Sequence, residues 1–451
     1  MTPSDKRAVL GAWFYRAWSS TLIQNVVTNY AAVVWTTALS LVTIPVALRI
    51  LGHNEWGIVA ACVTLRGLLT LLDAGFSQIM PRDIAQVAGD IQAEARLFSA
   101  FSKIYWALGF CGFGLAQIGA RYISAQWLNA PGADMHELEV AVRIIAIQFL
   151  FQFANGANVA FWNGIQRQKR ANIRQCVFAT ARQFSAIGSL VFFGGHAIAY
   201  LLPSAAIASI ECLTNRSAIR RDLGCARSNA HWKDVLRVAR EGGGLTIAVI
   251  VGIAVSQLDK VVLSKTLTLA DYGAYVIVAN LGIAFMQLQY PLMRAFFPIV
   301  ARNEVEGRTT GSGRLTAAVF ALCIAPCAVA AIFAHLGLRL WLHDERVAAI
   351  GTTPLRLILL AVCINALYNV IYQRMVAAGK SNVIVAANVG ALCVSIVSWY
   401  VFGRKAGLIG GGVIWVASST AQLVVGYIWH RVNRRDLRDQ LATKGVNSFI
   451  V

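Results

Sequence analysis

The chain has 451 residues, 57% of them hydrophobic and only 14% charged, with a mean hydropathy of +0.60. Soluble proteins carry about 25% charged residues, so an ordinary water-soluble domain is excluded. The formal net charge of +19 would suit nucleic acid, but the distribution of the basic residues argues against that partner.

The first 24 residues hold Asp5, Lys6, Arg7 and Arg16 among Trp13, Phe14 and Trp18. That mixture predicts a cytoplasmic, interfacial amphipathic leader over 1–24 and no cleavable signal peptide. Apolar runs of roughly 18–25 residues then recur to the end, each long enough to cross a bilayer as a helix. About twelve spans are expected, near 26–48, 56–78, 97–120, 139–163, 175–195, 197–215, 244–264, 272–297, 314–336, 353–375, 383–403 and 409–430. The predicted fold class is therefore an all-α polytopic membrane protein. A basic linker at 216–243 separates an N-terminal six-helix bundle, 25–215, from a C-terminal one, 244–430, and a basic tail occupies 431–451.

With a cytoplasmic N-terminus, about 26 of the 40 Lys and Arg residues fall on the inside, against about 7 outside. The inside set includes Arg82, Arg96, Arg167, Lys169, Arg170 and Arg174, the linker's Arg216 to Arg240, and the tail's Arg431 to Lys444. The outside set includes Arg49, Arg121, Lys265 and Arg339. This asymmetry is the positive-inside pattern, and it predicts that both termini are cytoplasmic. Membrane topology accounts for the charge, and no nucleic-acid partner is expected.

The second half echoes the first. Arg49-Ile50-Leu51 followed by Glu55-Trp56-Gly57 matches Lys265-Thr266-Leu267 followed by Asp271-Tyr272-Gly273 at a constant offset. That recurrence predicts an internal duplication, a transporter architecture with the substrate site between repeats. The longest outside loop, near Arg121 to Glu137, is too short for an enzymatic domain, so no enzyme is expected. Gly379-Lys380-Ser381 has Arg374 where a phosphate loop needs glycine, and no strand precedes it. The nine cysteines lie mostly inside apolar spans, without zinc or disulfide spacing, and read as packing residues. No metal site and no cofactor are expected.

Polar residues stack on single helical faces in several spans, at i, i+4 and i+7 spacing. Asn25, Asn29, Thr36 and Thr43 share a stripe of the first span, and Arg66 and Asp73 share one of the second. The fourth carries Gln148, Gln152 and Asn155, the eighth Asn280, Gln287 and Arg294, and the tenth Asn365, Asn369 and Gln373. Amide stripes also glue membrane helices together without any transport role. Embedded cations are more telling, because a mid-bilayer arginine costs about 2.5–3.5 kcal/mol on insertion scales. Arg66 and Arg182 are deepest, Arg143 is intermediate, Lys260 adjoins Asp259, and Arg294 is near enough to an end to snorkel. The embedded acids Asp73, Asp259 and Glu211 are candidates for ion coupling. A cationic interior selects anions, and arginine's planar fork fits phosphate oxygens. The expected substrate-binding set is Arg66, Arg143, Arg182, Lys260, Arg294, Asn25, Asn29, Gln152, Asn155 and Gln287, suited to a phosphate-linked glycan.

The run Pro45, Arg49-Ile50-Leu51-Gly52 and Trp56-Gly57, then Leu72-Asp73-Ala74-Gly75-Phe76-Ser77 and Arg82-Asp83-Ile84-Ala85, resembles the polysaccharide-transporter family. These are O-antigen and exopolysaccharide repeat-unit flippases of the multidrug/oligosaccharidyl-lipid/polysaccharide exporter superfamily. Asp259-Lys260 with Leu263 and Tyr272-Gly273-Ala274-Tyr275 resembles the matching signature of that family's second half. The resemblance implies two six-helix bundles forming a V around a central cavity. It also implies alternating-access transfer of an undecaprenyl-pyrophosphate-linked oligosaccharide from the cytoplasmic to the periplasmic leaflet of the bacterial inner membrane. The partners it implies are that polyprenyl-linked glycan, membrane lipids, a polysaccharide polymerase and a chain-length regulator. The alternatives are a multidrug antiporter or lipid II flippase of the same superfamily, or a membrane glycosyltransferase or polymerase.

Overall fold

The computed structural model describes residues 21–73, 75–127, 134–224, 234–235, 243–290, 292–293, 296–297, 300 and 312–447. Among them every regular element is helical. The helices are α1 (Thr21–Leu69), α2 (Phe76–Gln86), α3 (Ile91–Tyr122), α4 (Asp134–Gly164), α5 (Gln168–Phe193), α6 (Ala197–Asp222), α7 (Gly243–Thr266) and α8 (Leu269–Gln287). They continue as α9 (Ser312–Val319), α10 (Ala325–Ile332), α11 (Ala334–Leu342), α12 (Glu345–Ala377), α13 (Ser381–Val401) and α14 (Ile409–Asn447).

The first two predicted spans form one 49-residue element. At 1.5 Å per residue it would run about 73 Å, over twice the roughly 30 Å hydrocarbon core. The break is Gly52, at φ 74° and ψ 176°, a conformation that a residue without Cβ adopts freely. Nine helices among the described residues are long and apolar enough to cross a membrane, with α1 counted once. The third and seventh predicted spans are helical, as α3 and α7, but fall outside those nine. A π-helical turn, Phe320–Ile324, separates α9 from α10 in the ninth.

The chain forms two compact units. The first comprises Met1–Glu55, Leu65–Gln126 and Pro131–Thr246. Its centre is α4, which packs on α2, α3 and α6. Over its spanning stretch α4 is 61% buried, against 11% for α5. The reason is visible in its residues. Phe149, Phe153, Phe161 and Trp162 pack with Phe98, Phe101 and Tyr105 of α3 and with Met80 and Ile84 of α2. Such aromatic pairs, for example Phe98 and Phe161 with ring centroids 5.1 Å apart, dominate core energetics.

The second unit comprises Trp56–Thr64, Trp127–Ala130 and Ile247–Val451, with α12 central against α8, α10, α11 and α14. Within it Trp56-Gly57 of one triplet meets Tyr272-Gly273 of the other. A Cβ on Gly57 would sit 2.1 Å from the Leu269 carbonyl oxygen, and one on Gly273 would sit 3.1 Å from the Gly57 Cα. The Trp56 indole donates to the Gly273 carbonyl at 3.3 Å, and the Thr64 and Tyr272 hydroxyls are 2.5 Å apart. Glycine at both positions lets the backbones touch, the usual device of close membrane-helix crossings. Large apolar side chains such as Ile118, Phe192 and Phe193 lie exposed, as expected of surfaces bathed in lipid rather than water.

Candidate functional site: an embedded polar cavity

A cavity of about 540 Å³ opens inside the first unit. Its wall is Thr36, Leu39 and Ser40 of α1, Ser77 of α2, Gln152, Asn155, Gly156, Val159, Ala160 and Asn163 of α4, Gln175, Ala179, Arg182 and Gln183 of α5, and Glu211 of α6. Four of the predicted residues therefore share one space: Gln152, Asn155, Arg182 and Glu211. Arg66 is one hydrogen bond away: its Nη1 donates to Gln152 Oε1 at 3.1 Å. Tyr200, whose hydroxyl donates to Gln183 Oε1 at 3.2 Å, lies within electrostatic reach of both arginines.

Glu211 organises the wall. Its side chain is 8% exposed; Oε2 accepts from Arg182 Nη2 at 2.7 Å and Oε1 from Asn155 Nδ2 at 3.1 Å. Asn155 Oδ1 in turn accepts from Asn158 at 3.0 Å and Asn215 at 2.9 Å. Asn215 receives the Arg174 Nε, while Arg174 Nη2 donates to Thr214 at 2.9 Å. A continuous chain of hydrogen bonds thus runs from Arg174 to Arg182. A buried carboxylate is held by such partners because it cannot stand alone in low dielectric. Arg182 Nε is buried without a hydrogen-bond partner, so this guanidinium retains donor capacity.

Other predicted residues lie elsewhere. Asn25 donates to the Gln166 carbonyl at 3.2 Å, and Asn29 to Gln168 Oε1 at 2.7 Å while accepting from Asn172 at 2.6 Å. These bonds tie α1 to the start of α5. The hydroxyls of Thr36 and Thr43 bond back to their own helix, to Ala32 and Leu39, each at 2.9 Å. Arg143 is exposed and pairs with Glu139 at 2.7 Å and Gln117 at 3.3 Å. Asp73 accepts from Tyr105 at 2.9 Å and from the Ser77 hydroxyl at 2.7 Å, one hydrogen bond behind the cavity wall. Arg294 lies outside the described residues.

Asp259, Lys260 and Gln287 belong to the second unit. Gln287 is the half-buried last residue of α8. Asp259 is 1% exposed; its Oδ2 accepts from Tyr275 at 2.5 Å and Trp415 Nε1 at 2.9 Å, with Lys260 Nζ at 3.7 Å. Its Oδ1 has no hydrogen-bond partner. The tenth span's amides act as glue there: Asn369 donates to Gln289 at 2.6 Å, and Gln373 to the Met293 carbonyl.

Residues outside the predicted set also matter, above all Gln175, Gln183, Asn158 and Asn215. Gln175, Ala179, Arg182 and Gln183 recur at i, i+4, i+7 and i+8, the same signal that marked the other spans.

The wall carries the Arg182–Glu211 ion pair among amide and hydroxyl groups. Comparison with known proteins agrees in family and fold. A protein of Shigella flexneri described as a "Putative O-antigen transporter" is 19% identical over 396 residues, covering 87% of this chain and 94% of its own. An inward-facing multidrug resistance transporter of the MATE family and MOP superfamily is similar in structure, with TM-score 0.72 and 13% identity, covering 89% of this chain and 96% of that one. The lipid II flippase MurJ in an inward closed conformation gives TM-score 0.67 at 11% identity, covering 91% and 87%. The pattern of the polysaccharide biosynthesis protein family matches residues 22–304, and this multi-pass membrane protein belongs to that family.

Proposed function

We propose that the protein is a flippase for an undecaprenyl-pyrophosphate-linked oligosaccharide repeat unit, feeding O-antigen or exopolysaccharide assembly. The observation carrying this reading is Arg182 in the wall of a cavity lined with amides and hydroxyls, with Arg66 bonded to that wall's Gln152. Guanidinium forks suit pyrophosphate oxygens, and amides suit sugar hydroxyls. Apolar outer faces leave the polyprenyl chain in lipid. The positive-inside charge of the basic linker and tail supports cytoplasmic termini in a bacterial inner membrane, with polymerase and chain-length regulator as later partners.

Glu211 supplies a coupling element. It neutralises Arg182, so pyrophosphate must displace it. A proton on Glu211 removes one half of the pair and leaves Arg182 to the substrate, linking proton movement to substrate affinity by alternating access. Asp259, buried with a free oxygen, is the corresponding candidate of the second unit. A multidrug cation exporter would need an uncommitted acid facing this cavity, and Glu211 is committed to Arg182 and Asn155.

The test is Arg66→Ala, with surface glycan measured in cells at matched protein level. Loss of export with lipid-linked glycan accumulating on the inner leaflet is expected. Unchanged export removes Arg66 from the mechanism.

A further inference from the structure

At one end of the first unit three titratable side chains from separate elements converge. Glu55 follows the Gly52 break of α1, Glu137 is in the first turn of α4, and His196 precedes α6. Their ligand-capable atoms all lie within 4.8 Å of one another, and His196 Nδ1 is 3.8 Å from Glu137 Oε1. None of the three belongs to the polar cavity.

The arrangement is fixed from the backbone outward. A Cβ on Gly195 would lie 2.2 Å from the Ile50 carbonyl oxygen, so the turn before α6 is seated directly on α1. Glu55 Oε2 accepts the Ala197 N–H at 2.7 Å, spending one carboxylate oxygen on a helix N-terminus and leaving the other. Among the described residues neither carboxylate has a lysine or arginine partner; the titratable neighbours of Glu55 are Glu137 and His196. Glu137 Oε1 is a buried oxygen with no hydrogen-bond partner. Two carboxylates facing each other with a histidine and no lysine or arginine beside them form a donor set that a cation can occupy.

We propose that Glu55, Glu137 and His196 form a binding site for one divalent transition-metal ion of the zinc class. One imidazole and two carboxylates are a recognised zinc donor set, with a fourth position left to water. Ligands on a tetrahedral zinc stand about 3.3 Å apart, so closure asks for a contraction that side-chain rotation alone can supply, because His196 is exposed. A bound ion would clasp α1, α4 and α6 together at this end. Imidazole in the set disfavours magnesium and calcium, which take oxygen ligands.

The experiment titrates the purified full-length chain in detergent with Zn²⁺ against a chromophoric chelator, with Mg²⁺ as the second probe. Melting is followed in parallel with and without Zn²⁺. One Zn²⁺ per chain, a higher melting temperature with zinc and no response to Mg²⁺ are expected. Glu137→Gln and His196→Ala should each weaken zinc binding by about tenfold or more, and should melt like the parent when no metal is present. Equal zinc binding by the parent and both variants, or none by the parent, overturns the proposal and leaves the three groups sharing a proton. Neither variant touches the cavity, so an intact site says nothing about flipping, and failed flipping says nothing about the site.

Discussion

Arg182→Met tests whether the embedded arginine acts on substrate or only on Glu211. Removing one partner of a buried pair costs about 3–5 kcal/mol, because the remaining charge is left uncompensated. Here the residue left behind is the deeper one, with Glu211 8% exposed against 24% for Arg182. Its bond from Asn155 survives, which puts the expectation near the lower end, about 3 kcal/mol. That is roughly a hundredfold in the folded-to-unfolded ratio. The double variant Arg182→Met with Glu211→Gln has no orphan charge and keeps an acceptor for Asn155, so it should return to within about 1 kcal/mol of the parent. Melting in detergent reads the stability of all three proteins, and surface glycan per molecule reads export. The single variant should be unstable and silent, and the double stable and silent. A stable double variant that exports like the parent refutes the role of Arg182 in holding the pyrophosphate.

Three further outcomes follow from the geometry. Gly57→Ala drives a Cβ into a backbone oxygen 2.1 Å away, so overpacking should cost about 1–3 kcal/mol, read as a lower melting temperature; an unchanged one would remove the crossing. Asp259→Leu strands the Tyr275 hydroxyl and Trp415 indole donors, at about 1–3 kcal/mol for each unsatisfied group, whereas Asp259→Asn should recover much of that in the same melting assay. Arg143→Ala removes an exposed i,i+4 pair, and both melting and glycan export should stay at parental values; a transport defect would bring Arg143 back into the substrate path.

The helical class was legible because apolar length is a coarse and robust signal. Arg66 and Arg182 stood out because a deep arginine is costly anywhere except at a partner or a wet cavity. Arg143 has a local partner: Glu139, one turn earlier, pairs with it at 2.7 Å. Asn25 and Asn29 lie on the predicted stripe, but a stripe records which way a side chain points and not what it meets. They meet α5 near Gln166, itself in the left-handed region at φ 61°. The second half lacks an arginine at the position matching Arg66, and the sequence alone offered no reason. Gly282 occupies it, and a Cβ there would lie 2.2 Å from Ile358 Cγ2, so a side chain there requires Ile358 to move. The α5 amides were visible at helical spacing, but their joint placement with α4 and α6 needed three dimensions.

If the two triplets descend from one duplicated element, the crossing of Gly57 and Gly273 bears on how such a chain arises. Each triplet finds its neighbour in the other copy, so neither half alone supplies both faces of the contact. A half-length ancestor carrying one triplet could make this crossing only with a second molecule, as a self-complementary dimer about a two-fold axis. Fusion of two such genes would lock the pair into one polypeptide at fixed stoichiometry. One copy could then gain an arginine while the other kept a glycine, a divergence that a homodimer encoded by a single gene cannot express.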